Sequence, residues 1–203
     1  PGRQPGSSFK PFAYAVAFQK GYPDSTTIFD FKTEFNPSCS PDGNQLVDQY
    51  GLACYHPRNY DGIFRGPVTL RQALDQSLNI PSVKTLYLAG IPETISLAQQ
   101  MGITTLTQPE RYGLSLVLGG AEVHPIDLVS AYSVFANDGI RNPWRIIQRV
   151  GDANGNVLEE AQNQPQRALD AQTARLMNNI LSDNSARAAV FGYNNSLYFP
   201  GYE

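Results

Sequence analysis

Along the chain, apolar residues recur at helical spacing in six stretches and alternate in very few. Positions 7–20 read SSFKPFAYAVAFQK and place Phe9, Phe12, Ala13, Val16 and Ala17 on one face. The stretch follows Pro5-Gly6 and stops before Gly21, which predicts a buried helix. Thr69 with Gln72 three positions on is a capping-box pattern that opens a helix to about position 76. Pro81 suits the first turn of the next helix, ending at Gly90, and Pro92-Glu93 opens another that stops at Gly102. His124-Pro125 begins a longer one whose apolar face holds Ile126, Leu128, Val129, Tyr132, Val134 and Phe135, with Gly139 ending it. Asp170 caps the last, which runs through Leu181.

Strand signals are sparse. A short strand is predicted at 26–29, and a β-hairpin from 144–150 and 156–158 around the turn GDANG. Positions 21–67 are dense in Pro, Gly, Asn, Asp and Tyr with little periodicity, so a long irregular segment is expected there. Inside a compact domain such a segment usually carries a function. The tail, 182–203, is rich in Asn, Tyr and Gly, and the chain shows no internal repeat. The expected fold is one helix-rich α+β domain over residues 1–203.

Composition narrows the function classes. A chain of 203 residues buries a sizeable core without staples. With 15 basic and 18 acidic residues the net charge is −3, which offers no field to neutralise phosphates; nucleic acid is not an expected partner. The longest apolar run, 12–18, falls far short of the roughly 20 residues that span a bilayer. Cys39 and Cys54 would close a loop of about 15 residues, worth around 3 kcal/mol if oxidised. A bridge and two free thiols both fit, because two cysteines define no framework.

Ser7 and Lys10 form the only Ser-x-x-Lys in the chain. Residues three apart on a helix share a face, with Cβ atoms about 5 to 6 Å apart, so a hydroxyl and an amine can touch. A serine becomes a nucleophile once its proton is taken, and an ammonium can take it only if burial or positive potential depresses its pKa. The first turn of a helix supplies that potential through unpaired N–H groups carrying about half a positive charge. The same groups can stabilise a developing oxyanion. The plain alternative is a capping serine beside a solvated lysine, and the bare pattern arises by chance about once in 200 residues.

The surrounding string is more specific. RQPGSSFKPF at positions 3–12 resembles the first active-site motif of the penicillin-binding proteins. The form Pro-Gly-Ser-x-x-Lys-Pro, typical of the bifunctional class A enzymes that polymerise and cross-link peptidoglycan, is matched by Pro5, Gly6, Ser7, Lys10 and Pro11. The family's second motif, Ser-x-Asn, is matched by Ser77 and Asn79 within TLRQALDQSLNIPSVK. YHPRNYDGIFRGPVTLR, LVLGGAEVHPIDLVSAYSVFANDG and ARAAVFGYN are similar to further transpeptidase segments, so the resemblance covers essentially the whole chain.

The resemblance implies the serine transpeptidase and β-lactamase fold, here its central helical part with most of the antiparallel sheet missing. It implies Ser7 as nucleophile on the carbonyl between the last two D-alanines of a stem peptide, and Lys10 as its base. Ser77 would relay a proton between Lys10 and the leaving or attacking nitrogen, while Asn79 would hold the substrate's amide and steady Lys10. No cofactor and no metal are implied. The implied ligands are peptidoglycan stem peptides and β-lactams. The implied setting is the extracytoplasmic face of the bacterial cytoplasmic membrane, with an anchoring helix and a glycosyltransferase domain upstream.

The family's third motif, Lys-Thr-Gly, is absent: no Lys-x-Gly occurs and the last lysine is Lys84. In similar proteins it follows the segment matched here by 198–203. The chain is therefore expected to be a partial domain, weakly active alone, since one lost oxyanion donor costs about 10² to 10³ in rate. Its uncovered apolar face is expected to take a second chain or to form an oligomer. Ser182-Asp183-Asn184 resembles the second motif of class A β-lactamases but is read as a C-terminal turn. His124 and His56 lack the partners that a metal site or a Ser-His triad needs, and Tyr50, Tyr55 and Tyr60 are read as loop packing. Two rivals remain. One is a β-lactamase or D,D-carboxypeptidase of the same superfold, although no Glu-x-x-Leu-Asn stretch is present to activate a deacylating water. The other is a non-catalytic binding or scaffold module.

Overall fold

The computed structural model describes residues 1–201 and is organised around one central helix. Gly6–Phe9 form a 3-10 turn that runs straight into α1 (Lys10–Gln19). Each residue of α1 through Phe18 is buried, so this helix is apolar all round except at Lys10. Pro11 sits in its first turn, where a missing N–H costs nothing. The helix ends in a Schellman motif: Tyr22 N–H donates to Ala17 O (3.2 Å) and Gly21 N–H to Phe18 O (2.9 Å), with Gly21 at φ +91°.

β1 (Thr27–Asp30) pairs antiparallel with β2 (Gly66–Thr69), Ile28 opposite Val68, and both side chains turn into the core. The intervening loop is irregular, as its composition predicts, and is tied down by carboxylates. Glu34 accepts the backbone N–H groups of Asn36 and Tyr55, and Asp48 accepts those of Tyr50 and Leu52. Cys39 and Cys54 are joined in a disulfide, which resolves the alternative that the sequence leaves open. β2 is the piece that the irregular reading of 21–67 cuts across.

α2 (Leu70–Asp75), α3 (Asn79–Ala89) and α4 (Ile91–Gln100) follow in close succession. The capping box before α2 forms in full, with Thr69 and Gln72 each accepting the other's backbone N–H. α3 starts two residues before Pro81, at Asn79. α5 (Pro125–Ala136) keeps its predicted place. β3 (Ile140–Arg141) then leads to a hairpin of β4 (Arg149–Gly151) and β5 (Val157–Glu160), shorter at its start and longer at its end than the pattern predicts. β6 (Gln166–Arg167) returns to pair with β3. α6 (Ala171–Leu181) is capped by Asp170, whose side chain accepts Thr173 N–H at 2.8 Å.

The tail holds a helix that its composition hides: α7 (Asn184–Phe191), capped by Asp183 through Ala186 N–H (2.9 Å). Positions 202 and 203, the end of the segment 198–203, lie outside the described residues. α1 packs against α3, α4 and α6, and α5 closes over α6. Among the described residues the strands form three two-stranded ladders, so the helix-rich α+β reading holds.

Candidate active site

Ser7 lies in the 3-10 turn, exposed, one turn ahead of the wholly buried Lys10. Two elements fix that turn. Gly119 takes φ +83° and passes so close that a Cβ on it would stand 2.2 Å from the Gly6 nitrogen, so no other residue fits there. From α5, the Tyr132 hydroxyl donates to Ser8 O at 2.7 Å.

The Lys10 ammonium, 1% exposed, spends its three hydrogens on Ser77 O (2.5 Å), Ser77 Oγ (3.0 Å) and Asn79 Oδ1 (2.8 Å). Loss of hydration lowers its pKa from the ordinary lysine value to about 7. Residues 67 and 69 positions apart thus meet on one nitrogen. Among the described residues the Ser7 hydroxyl itself takes no hydrogen-bond partner.

The end of α2 explains how Ser77 arrives there. Leu78 N–H donates to Ala73 O and Ser77 N–H to Leu74 O, both at 2.9 Å, which is again a Schellman pattern. Ser77 holds the left-handed position at φ +54°, where glycine is usual and where an L side chain costs roughly 1–2 kcal/mol. That conformation presents both its carbonyl and its hydroxyl to Lys10. Asn79 opens α3 directly afterwards. Its Nδ2 donates to Arg58 O (2.7 Å), which leaves its Oδ1 for Lys10.

Ser7, Lys10 and Ser77 line a cleft of about 1290 Å³, with Tyr132 and Asp75. Asn79 is half-buried and does not line it. Asp75 is 5% exposed, and among the described residues neither carboxylate oxygen has a hydrogen-bond partner. Desolvation, then the nearby charge of Asp183, raise its pKa to about 7. Asp75, Tyr132 and Gly119 carry no motif signal of their own, although the last two lie in a segment that resembles the family. Ser182 and Asn184, read as a plain turn, also line the cleft, while Asp183 between them caps α7. The histidines are engaged elsewhere: His56 Nδ1 with Glu34 at 2.8 Å and His124 Nδ1 with Asp127 at 3.4 Å. Tyr55 packs on Phe35, while Tyr50 and Tyr60 are exposed on the loop.

The family model of the penicillin binding protein transpeptidase domain matches residues 2–198. The chain belongs to that family. Penicillin-binding protein 1A of Neisseria meningitidis (strain Z2491) is 35% identical over 187 residues, covering 89% of this chain and 22% of that protein. Penicillin-binding protein 1A of Pseudomonas aeruginosa is 36% identical over 173 residues, 85% of this chain and 19% of that protein. The chain thus spans about a fifth of the length of these relatives. Both are of the 1A kind, in keeping with the class A form of the first motif. Among solved structures, penicillin-binding protein 1A from Haemophilus influenzae matches with a TM-score of 0.74 at 26% identity, over 91% of this chain and 30% of that one. The penicillin-binding protein PonA1 from Mycobacterium tuberculosis matches at 0.73 and 25%, over 95% and 48%. Among the described residues no helix is long and apolar enough to cross a membrane.

Proposed function

We propose that this chain carries the acyl-transfer centre of a peptidoglycan D,D-transpeptidase, with Ser7 as nucleophile, Lys10 as base, Ser77 as proton relay and Asn79 as lysine anchor. The substrate-holding role expected of Asn79 is not carried over, because Asn79 does not line the cleft and its Nδ2 donates to Arg58 O. One observation carries the reading. A single buried amine contacts both residues of the Ser-x-Asn motif at the cleft that Ser7 lines. As a neutral amine, Lys10 gives up one of its three donor contacts, and the lone pair so freed can take up a proton. Ser7 Oγ attacks the carbonyl between the two terminal D-alanines, and its proton passes to Lys10. The Ser7 backbone N–H supplies one oxyanion donor. The C–N bond breaks, Ser77 delivers the proton to the departing D-alanine nitrogen, and an acyl-serine remains. An amine of a second stem peptide attacks that ester, its proton returns through Ser77 and Lys10 to Ser7 Oγ, and the cross-link is released. β-Lactams acylate Ser7 by the same first step.

The setting belongs to the same reading: the extracytoplasmic side of a bacterial membrane, with an anchor and a glycosyltransferase domain upstream. Exposed apolar side chains near the cleft, Val129, Phe191, Leu197 and Phe199, support a covering polypeptide on that face. A monodisperse monomer of the 203 residues in sedimentation at high concentration counts against an oligomer there.

The test is a fluorescent penicillin incubated with the full-length natural protein, followed by peptide mass mapping. A stable adduct on Ser7, absent in Ser7→Ala, is expected. An adduct that hydrolyses within minutes makes the protein a β-lactamase or carboxypeptidase instead. No adduct makes it a non-catalytic module.

A further inference from the structure

We infer that Asn59, backed by Asp30, is a positioning residue for the acyl transfer: it fixes where Asn79 stands and, with its neighbour Arg58, which way the Asn79 amide faces. The inference rests on the function proposed above.

Asn59 comes from the irregular loop between β1 and β2, yet its side chain is 5% exposed and fully committed. Its Oδ1 accepts the backbone N–H of Asn79 at 2.8 Å, and its Nδ2 donates to Asp30 Oδ2 and to Ile63 O, each at 2.8 Å. The Asn79 N–H is the first of α3, one of the groups that a helix leaves unpaired at its start. The N-cap residue, Leu78, has no side-chain acceptor to offer it. A residue twenty positions upstream therefore caps α3 across the fold, at the turn of chain that holds Ser77 and Asn79.

The neighbouring residue settles orientation. Arg58 O accepts from Asn79 Nδ2 at 2.7 Å, so the amide cannot flip without setting its NH₂ against the Lys10 ammonium and its oxygen against a carbonyl. Asp30, at the end of β1 and buried, anchors the pair. Its Oδ2 accepts from Asn59 and from Arg65 N–H (3.0 Å). The result is a chain of hydrogen bonds from the β1–β2 ladder through Asp30, Asn59 and Asn79 to Lys10. Its purpose is placement, because an error of about 1 Å in a reacting group costs up to about 10² in rate.

The experiment follows acylation of the full-length natural protein by a chromogenic β-lactam. It separates the rate constant at saturation from the dissociation constant of the initial complex and from the final adduct stoichiometry. The stoichiometry counts folded molecules, so lost fold reads as lost amplitude and lost placement as lost rate. In Asn59→Ala the saturating rate should fall about 10- to 100-fold, with the dissociation constant within about threefold. Asn59→Asp, which sets a second carboxylate against Asp30, should fall at least as far. Adding Asp30→Asn to it restores a donor facing an acceptor across that pair, while Ile63 O and Arg65 N–H lose their partners, and should recover part of the rate. Loss of amplitude at an unchanged rate in either single variant overturns the inference, as does a double variant that regains amplitude while its rate stays at that of Asn59→Asp. Absence of any adduct in the unchanged protein overturns the functional reading itself.

Discussion

Lys10 and Asp75 line the same cleft, one at the start of α1 and one at the end of α2, and both are almost wholly buried. Lys10 meets three oxygen acceptors; among the described residues Asp75 meets no hydrogen-bond donor. Burial pushes both pKa values to about 7, down for the amine and up for the carboxylate. Equal burial thus produces opposite situations. The lysine is desolvated and held, so that it can exchange a proton without searching for position. The carboxylate is desolvated and unheld, and is accommodated mainly by taking up a proton. What separates a poised group from a strained one here is the supply of partners from other segments, not depth.

Removing the held amine should have the largest effect. Lys10→Met keeps the apolar stem but leaves Ser7 without a base and Ser77 without its donor. The saturating acylation rate should fall about 10² to 10⁴. In the unchanged protein that rate should climb as pH rises through about 7, the value to which burial lowers Lys10, because the neutral amine is the base. In Lys10→Met this rise should vanish; a variant that retains it would move the base elsewhere.

A smaller effect of mixed sign should come from the backbone that seats Lys10. α1 and α4 both end on a glycine in the left-handed region, Gly21 and Gly102, whereas α2 ends on Ser77. Glycine at such a position relieves strain, so a serine there signals work for its hydroxyl. Ser77→Gly should raise stability by about 1 kcal/mol, seen as a few degrees in Tm, while the acylation rate falls about tenfold or more. Gly21→Ser should lower Tm and leave the rate unchanged. Parallel losses of rate and stability in Ser77→Gly would reduce Ser77 to a structural cap.

The same contrast marks what could be read in the sequence. Ser7 and Lys10 stand three apart on one turn, a spacing with local physical meaning, whereas Ser77 and Asn79 were legible only through the resemblance of the string around them; the helices nearby carry caps and periodic apolar faces. Thr69 with Gln72, Pro11, Gly21 and Asp170 each act within a turn of their own position, so they were legible. β2 was hidden because Gly66 and Pro67 read as loop residues, and the strand exists only by pairing with β1 some forty positions earlier. α7 was hidden by the Asn- and Tyr-rich tail, although Asp183 supplied its cap signal. Asn59, Tyr132 and Gly119 act on residues 20 to 124 positions away, and no local pattern records such contacts. The cysteine pairing was equally a matter of where the loop folds.

The unheld carboxylate gives the last effect, a stability change whose sign follows from linkage. Asp75 titrates at about 7 in the folded chain against an ordinary aspartate value of 3.8, so the folded state binds the extra proton between those limits. Its penalty is absent below about pH 4, grows as pH rises towards 7, and is complete above. Asp75→Asn replaces the anion with a neutral group of the same shape. It should therefore stabilise the protein by about 1–2 kcal/mol at pH 8, where the wild-type side chain is a buried, unpaired charge. That gain should shrink steadily as pH falls and be close to zero at pH 4. Denaturant midpoints at pH 4, 6 and 8 measure it. A gain independent of pH would mean that the substituted amide is simply better packed than the carboxyl group. A loss at pH 8 would mean that Arg71 or Arg187 holds the carboxylate after all, and Asp75 would then join Lys10 among the held groups of the cleft.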